Sequence, residues 1–178
     1  LESVKEEVIG NNISCDLFIG DVGNPEFVQT SIKQILDKYG KINHLINNAG
    51  FGIFKNVVDS TLDEFKSQID TNLFGVYNFT KAVLPVMIER KTGSIINISS
   101  LAGKNAFVGG TMYSASKHAL MGFTKSLMLE VREYNIRTVA ICPGSVSTEF
   151  FSTASFERDN LNRVLHSEDI ADVVAAVI

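Results

Sequence analysis

The stretch GSIINIS, residues 93–99, is apolar at consecutive positions and not at alternating ones. A short β-branched run of that kind reads as a strand buried on both faces, the situation inside a parallel sheet covered by helices. IRTVAICPG (136–144) is a second such run, INHLINNAG (42–50) a shorter one, and ISCDLFIGD (13–21) a fourth that ends on an acid. Helical patterns separate them. In 24–40, Asn24 stands as an N-cap, Pro25 takes the first helical position and Gly40 is the stop. Thr61 and Glu64 form a capping box before a helical region over 62–90, broken or bent near Asn72, with Pro85 costing a hydrogen bond in its later part. A further helix spans roughly 112–134, Ser167 caps a last one, and residues 1–12 read as the end of another. This alternation predicts an α/β fold with a parallel sheet between helices. With no internal repeat, low-complexity segment or linker, 1–178 reads as one domain.

Composition narrows the function classes. The chain has 45% hydrophobic residues over 178 positions, enough for one substantial core. Its net charge of −4 and lack of a long basic run argue against a nucleic-acid or anionic membrane surface. His44, His118, His166, Cys15 and Cys142 are scattered without ligand spacing, so no metal site is expected. The cysteines sit in apolar runs and read as buried thiols, which suits a reducing cytosol. No apolar run approaches the ~20 residues that span a bilayer, so no membrane partner is expected and the location reads as cytoplasmic.

Parallel sheets bind ligands beyond the carboxyl ends of their strands. Asp21, Asn47–Gly50, Ser99–Ser100 and Pro143–Gly144 each follow the last apolar residue of a predicted strand. Tyr113 and Lys117 lie four apart, on one face of a predicted helix. A nearby ammonium favours phenolate and would bring the phenol, with its ordinary pKa of ~10, towards a useful range. By itself the pair also fits an amphipathic helix carrying a solvated lysine. Ser114, Ala115 and Ser116 keep the helix thin between them, so a large ligand could approach its backbone. Ser99 and Ser100 could hydrogen-bond a substrate carbonyl over the strand end, or simply form a serine-rich turn.

Taken in order, NNAG (47–50), SS (99–100), YSASK (113–117) and PG (143–144) with Val146 and Thr148 resemble the short-chain dehydrogenase/reductase family. The resemblance runs over essentially the whole chain. It implies a Rossmann-like doubly wound parallel sheet and an NAD(P)-dependent oxidoreductase that moves a hydride between nicotinamide and a carbonyl or secondary alcohol. Tyr113 would be the general acid or base, Ser100 would orient the carbonyl oxygen, and Ser99 would be structural. Lys117 would lower the tyrosine's pKa and hold the nicotinamide ribose. Asn72 would bend its helix and support a water-linked proton relay. For the cofactor, Asp21 and Val22 would contact the adenine ring, and Asn47, Ala49 and Gly50 would line the adenosine side while stabilising the sheet. Pro143, Gly144, Val146 and Thr148 would meet the carboxamide. Helices 62–90 and 112–134 would pair in a homodimer or homotetramer. Within the family, LEVREYNIRTVAICPG looks most like the 3-oxoacyl-carrier-protein reductases and their relatives. Phe150, Phe151 and Phe156 would form an apolar lid over a hydrophobic ketone or anchor a small helix, and the sequence favours neither.

The family's first two strands, the glycine-rich phosphate turn between them, and its last strand have no counterpart in these residues, so the sheet is expected to be incomplete. The strand at 13–20 would lack its usual partner, leaving ladder groups unpaired. The turn that supplies N–H groups to a pyrophosphate would be missing. The strand end that selects NAD or NADP is not readable either. Reductive members commonly use NADPH, which favours NADP(H) over NAD(H). The alternative function is a non-catalytic dinucleotide-binding or oligomerising fragment, although a sensor would be expected to have lost Tyr113 or Lys117.

Overall fold

The computed structural model describes residues 2–11, 13–148, 150 and 164–178. Three parallel strands, β1 (His44–Asn47), β2 (Gly93–Ile98) and β3 (Ile136–Ile141), form a sheet in that spatial order. Asn47 lies in register with Asn97, and Ile98 with Ile141, so the strands end together along one edge. Among the described residues six α-helices accompany them: α1 (Glu2–Gly10), α2 (Pro25–Tyr39), α3 (Leu62–Ile69), α4 (Gly75–Arg90), α5 (Thr111–Val131) and α6 (Ser167–Val177).

The local chemistry explains most boundaries. Asn24 Oδ1 accepts from the N–H groups of Glu26 and Phe27, and Gly40 ends α2 with a φ of 69°. Thr61 and Glu64 close the expected capping box on α3. The expected bend near Asn72 is a π-turn over Asp70–Phe74, which joins α3 to α4. Pro85 is accommodated within α4.

The double-sided burial inferred for GSIINIS is present: Ile95 and Ile96, which point to opposite faces of β2, are both 0% exposed. Ile95 joins Val28 and Ile32 of α2, Val83 and Met87 of α4, and Leu127 and Val131 of α5 in the main core. Each such side chain contributes ~1.5–3 kcal/mol by leaving water.

Three readings are revised. Residues 13–21 are not a strand: as expected they lack a ladder partner, and no described strand lies beside them. They are held through Asp16, whose carboxylate takes Lys38 Nζ at 2.8 Å and the Tyr39 hydroxyl at 2.6 Å. Ser167 is the first residue of α6 and not its cap; His166 stands at the cap, with its N–H donated to the Asp169 carboxylate at 2.7 Å. Cys15 and Cys142 are free thiols, and half-buried where full burial was expected. Among the described residues, no helix is long and apolar enough to cross a membrane.

Replacing Ile95 by Ala should lower unfolding stability by ~2–5 kcal/mol through the cavity it leaves. The same change at Val58, which is 88% exposed, should cost less than ~0.5 kcal/mol. Urea unfolding midpoints of the purified variants check the contrast.

Candidate active site

The site is built around the start of α5, which crosses the carboxyl end of β2. Small side chains at 114–116 let the helix come close. Lys117 is only 5% exposed, and its Nζ donates to the carbonyl of Ile98, the last residue of β2, at 3.0 Å. That burial excludes the solvated-lysine alternative. Tyr113, one turn earlier, is also buried, and its ring centroid lies 5.8 Å from Lys117 Nζ. The Ser100 hydroxyl borders the same space as the phenol and accepts from the Ala102 N–H at 3.1 Å. Ser99 is turned away, with its Oγ 3.5 Å from the Lys117 carbonyl.

The electrostatics depart from one expectation. Burial holds the Tyr113 phenol above its usual range, and the neighbouring Ser100 hydroxyl opposes this with a smaller effect. The Lys117 ammonium is directed to the Ile98 carbonyl and not to the phenol oxygen. Burial lowers Lys117 itself to about 8, against a smaller opposing pull from Cys142.

Asn72, in the π-turn, is 1% exposed and saturated with contacts. Its Oδ1 accepts from the Phe51 N–H at 3.0 Å, while Nδ2 donates to the Phe51 carbonyl at 2.9 Å and to Ser116 Oγ at 3.1 Å. Ser116 Oγ in turn donates to the Tyr113 carbonyl at 2.8 Å. The loop after β1 is thus tied to α5. Gly50 keeps a gap there: a Cβ would sit 3.0 Å from Asn72 Oδ1 and 3.6 Å from Lys117 Nζ.

Gly50, Ser100, Tyr113, Lys117, Pro143, Gly144, Val146 and Thr148 all border one cleft of about 990 Å³. Val146 pairs with Leu165, which brings α6 to its rim. Val22, Asn47 and Ala49 border a separate pocket of about 160 Å³, and Ile46 and Asn48 reach both. Asp21 borders neither, and its Oδ1 accepts from the Gly23 N–H at 2.8 Å. Asn47 Nδ2 donates to Asn97 Oδ1 at 2.8 Å, and Asn97 Nδ2 to Thr124 Oγ1 at 2.9 Å. Phe150 stands beside Tyr113, with centroids 5.9 Å apart. Phe151 and Phe156 lie outside the described residues.

Sequence reasoning missed Asn97, Phe54 and Phe107, and read Ser116 only as a small side chain. Asn97 interrupts an apolar strand, which is a usable signal for a buried polar partner. The two phenylalanines carry no spacing signal.

A sequence model described as short chain dehydrogenase matches residues 1–159. The chain belongs to that family. It is 42% identical over 149 residues to the oxidoreductase UcpA of Escherichia coli (strain K12), covering 83% of this chain and 57% of the relative. The chain therefore spans little more than half the length of that protein. It is 32% identical over 181 aligned positions to the 3-oxoacyl-[acyl-carrier-protein] reductase FabG of Thermotoga maritima, covering 98% of this chain and 74% of the relative. Among solved structures, NAD+-bound xylitol dehydrogenase superposes with a TM-score of 0.88 at 27% identity, over 98% of this chain and 76% of that one. ElxO with NADP bound gives 0.85 at 28% identity, over 97% and 76%. The short-chain dehydrogenase fold accounts for a parallel sheet with its notable residues along one edge.

The Lys117 environment has a pH signature. An amine whose pKa falls to about 8 in the folded state and is ~10.4 when unfolded costs stability below pH 8 and ceases to above pH 10. Relative to Lys117→Met, the native protein should therefore gain about 2–3 kcal/mol between pH 8 and pH 10. Denaturant titrations across that range measure it. A constant difference between the two proteins would contradict the burial argument.

Proposed function

We propose that this chain carries the catalytic face of an NAD(P)-dependent carbonyl reductase, with Tyr113 as the proton donor. The convergence of Tyr113, Ser100 and Lys117 on one wall of the 990 Å³ cleft carries the reading. Ser100, which borders the cleft with the phenol, would share the substrate's carbonyl oxygen with Tyr113. Lys117 would present its remaining N–H groups to a ribose, with Asn72 holding the loop that frames it. Residues 1–178 would form part of one dinucleotide-binding domain.

The residues present fit the nicotinamide half of a dinucleotide. Gly50 leaves a cradle against Asn72 and Lys117 that a side chain would fill, and Pro143, Gly144, Val146 and Thr148 border the same space. Val22, Asn47 and Ala49, around the smaller pocket, together with Asp21, would serve the adenosine side. A bound reduced nicotinamide supplies the hydride; the protein supplies position and the proton. Reduced NADP is favoured over NAD by analogy with reductive members, although relatives of both kinds share the fold.

With its phenol held above the usual range by burial, Tyr113 is protonated at neutral pH, the state from which a proton is given to a carbonyl oxygen. Phe74, Tyr77, Met128 and Leu129 are exposed on or beside α4 and α5, which supports a homodimer or homotetramer through these helices. The small-molecule partner is a ketone or secondary alcohol, and two free thiols suit a cytoplasmic setting.

Tyr113→Phe should leave dinucleotide affinity nearly unchanged and lower turnover by ~10²–10⁴. Absorbance at 340 nm follows reduced-cofactor consumption, and fluorescence titration follows binding. Unchanged turnover would remove Tyr113 from this role.

A further inference from the structure

Phe54 and Phe150 pack against the Tyr113 ring, and Phe107 packs against Phe54. Phe54 is central to the group: its centroid lies 5.2 Å from Tyr113, 5.7 Å from Phe107 and 6.4 Å from Phe150. All three rings border the cleft that Tyr113 and Ser100 share.

Their placement is built into the backbone. Phe54 folds back over Gly52, where a Cβ would come within 2.6 Å of the ring, and Phe107 over Gly110, where it would come within 2.4 Å. The loop carrying Phe54 is fixed at both Phe51 and Ile53, by Asn72 and by Gln68 Oε1. Rings seated in this way form a preorganised wall and lose little freedom on binding.

Among the described residues bordering the cleft, Lys117 alone is charged, and its ammonium is engaged by the Ile98 carbonyl. A carboxylate would give up hydration against phenyl rings with little in return, and the phenyl faces offer a polyol no hydrogen bonds. An apolar skeleton would gain from the same contact.

We propose that the cleft takes a neutral, apolar ketone whose carbon skeleton lies against Phe54, Phe107 and Phe150; this rests on the hydride-transfer reading above. The carbonyl carbon gains a hydride from the reduced nicotinamide dinucleotide, which is thereby oxidised. The C=O π pair moves onto oxygen, that oxygen takes the Tyr113 proton, and a secondary alcohol leaves.

The experiment compares acetophenone and cyclohexyl methyl ketone with pyruvate and dihydroxyacetone, using the purified protein and each reduced dinucleotide. The apolar ketones should have kcat/KM at least tenfold higher. Phe54→Ala should lose tenfold or more with acetophenone, mainly through KM, without change in NADPH affinity. Phe107→Ala, at a ring already 38% exposed, should show the same trend if Phe54→Ala fails to fold. Acetophenone binding by calorimetry supplies a readout independent of turnover. Weaker binding in the phenylalanine variants, with no turnover of any ketone, would uphold the aromatic wall and overturn the hydride reading. Turnover that favours pyruvate or dihydroxyacetone, or is indifferent to Phe54 and Phe107, would overturn the wall and leave the hydride reading standing. Neither binding nor turnover of the apolar ketones would overturn both.

Discussion

The hydrogen bond from Lys117 Nζ to the Ile98 carbonyl ties the start of α5 to the end of β2, and the cleft is arranged around it. An ammonium buried to this degree is costly, and the fall of its pKa to about 8 registers that cost. A charge-assisted bond to a strand-end carbonyl offsets part of it. With Lys117 fixed, Tyr113 one turn away is fixed too, and Ser100, two residues beyond Ile98, comes within reach of the phenol. The three groups thus inherit their positions from a junction between a helix and a strand, which is stiffer than a loop.

Two buried polar chains extend that junction. Asn47, Asn97 and Thr124 link β1 through β2 to α5, and Phe51, Asn72 and Ser116 link the loop after β1 to the same helix. Such networks are stabilising only when their members are satisfied, and here Asn97 and Asn72 each have partners on two different elements. Their effect is to fix the loop carrying Gly50, Gly52 and Phe54 relative to Tyr113. The geometry of the cleft and the seating of its aromatic wall therefore share one scaffold.

The fold was legible in the sequence wherever local chemistry decides it. The caps of α2 and α3, the double-sided burial of Ile95 and Ile96, and the break at Asn72 all follow from residue type and spacing. Segment 13–21 reads as a strand by the same local rules but pairs with nothing, because a ladder needs a neighbour that local pattern cannot supply. The reactive cluster was legible through ordered motifs, which brought Ser100, Tyr113, Lys117 and Gly144 to one cleft. The burial of the phenol was not legible: it reverses the direction expected for Tyr113. Phe54 and Phe107 were silent for a similar reason, since their rings are placed by glycines at Gly52 and Gly110 that look like ordinary turn residues.

Everything in the cleft rests on Lys117 being buried against the Ile98 carbonyl as a cation whose burial is costly. Selective 13C labelling of lysine side chains, with the Lys117 resonance assigned from Lys117→Met, reads its titration directly by NMR. The account predicts a midpoint near pH 8, in line with a folded-state pKa of about 8. A midpoint near the ordinary lysine value of ~10.4 would mean a solvated ammonium and would contradict the account.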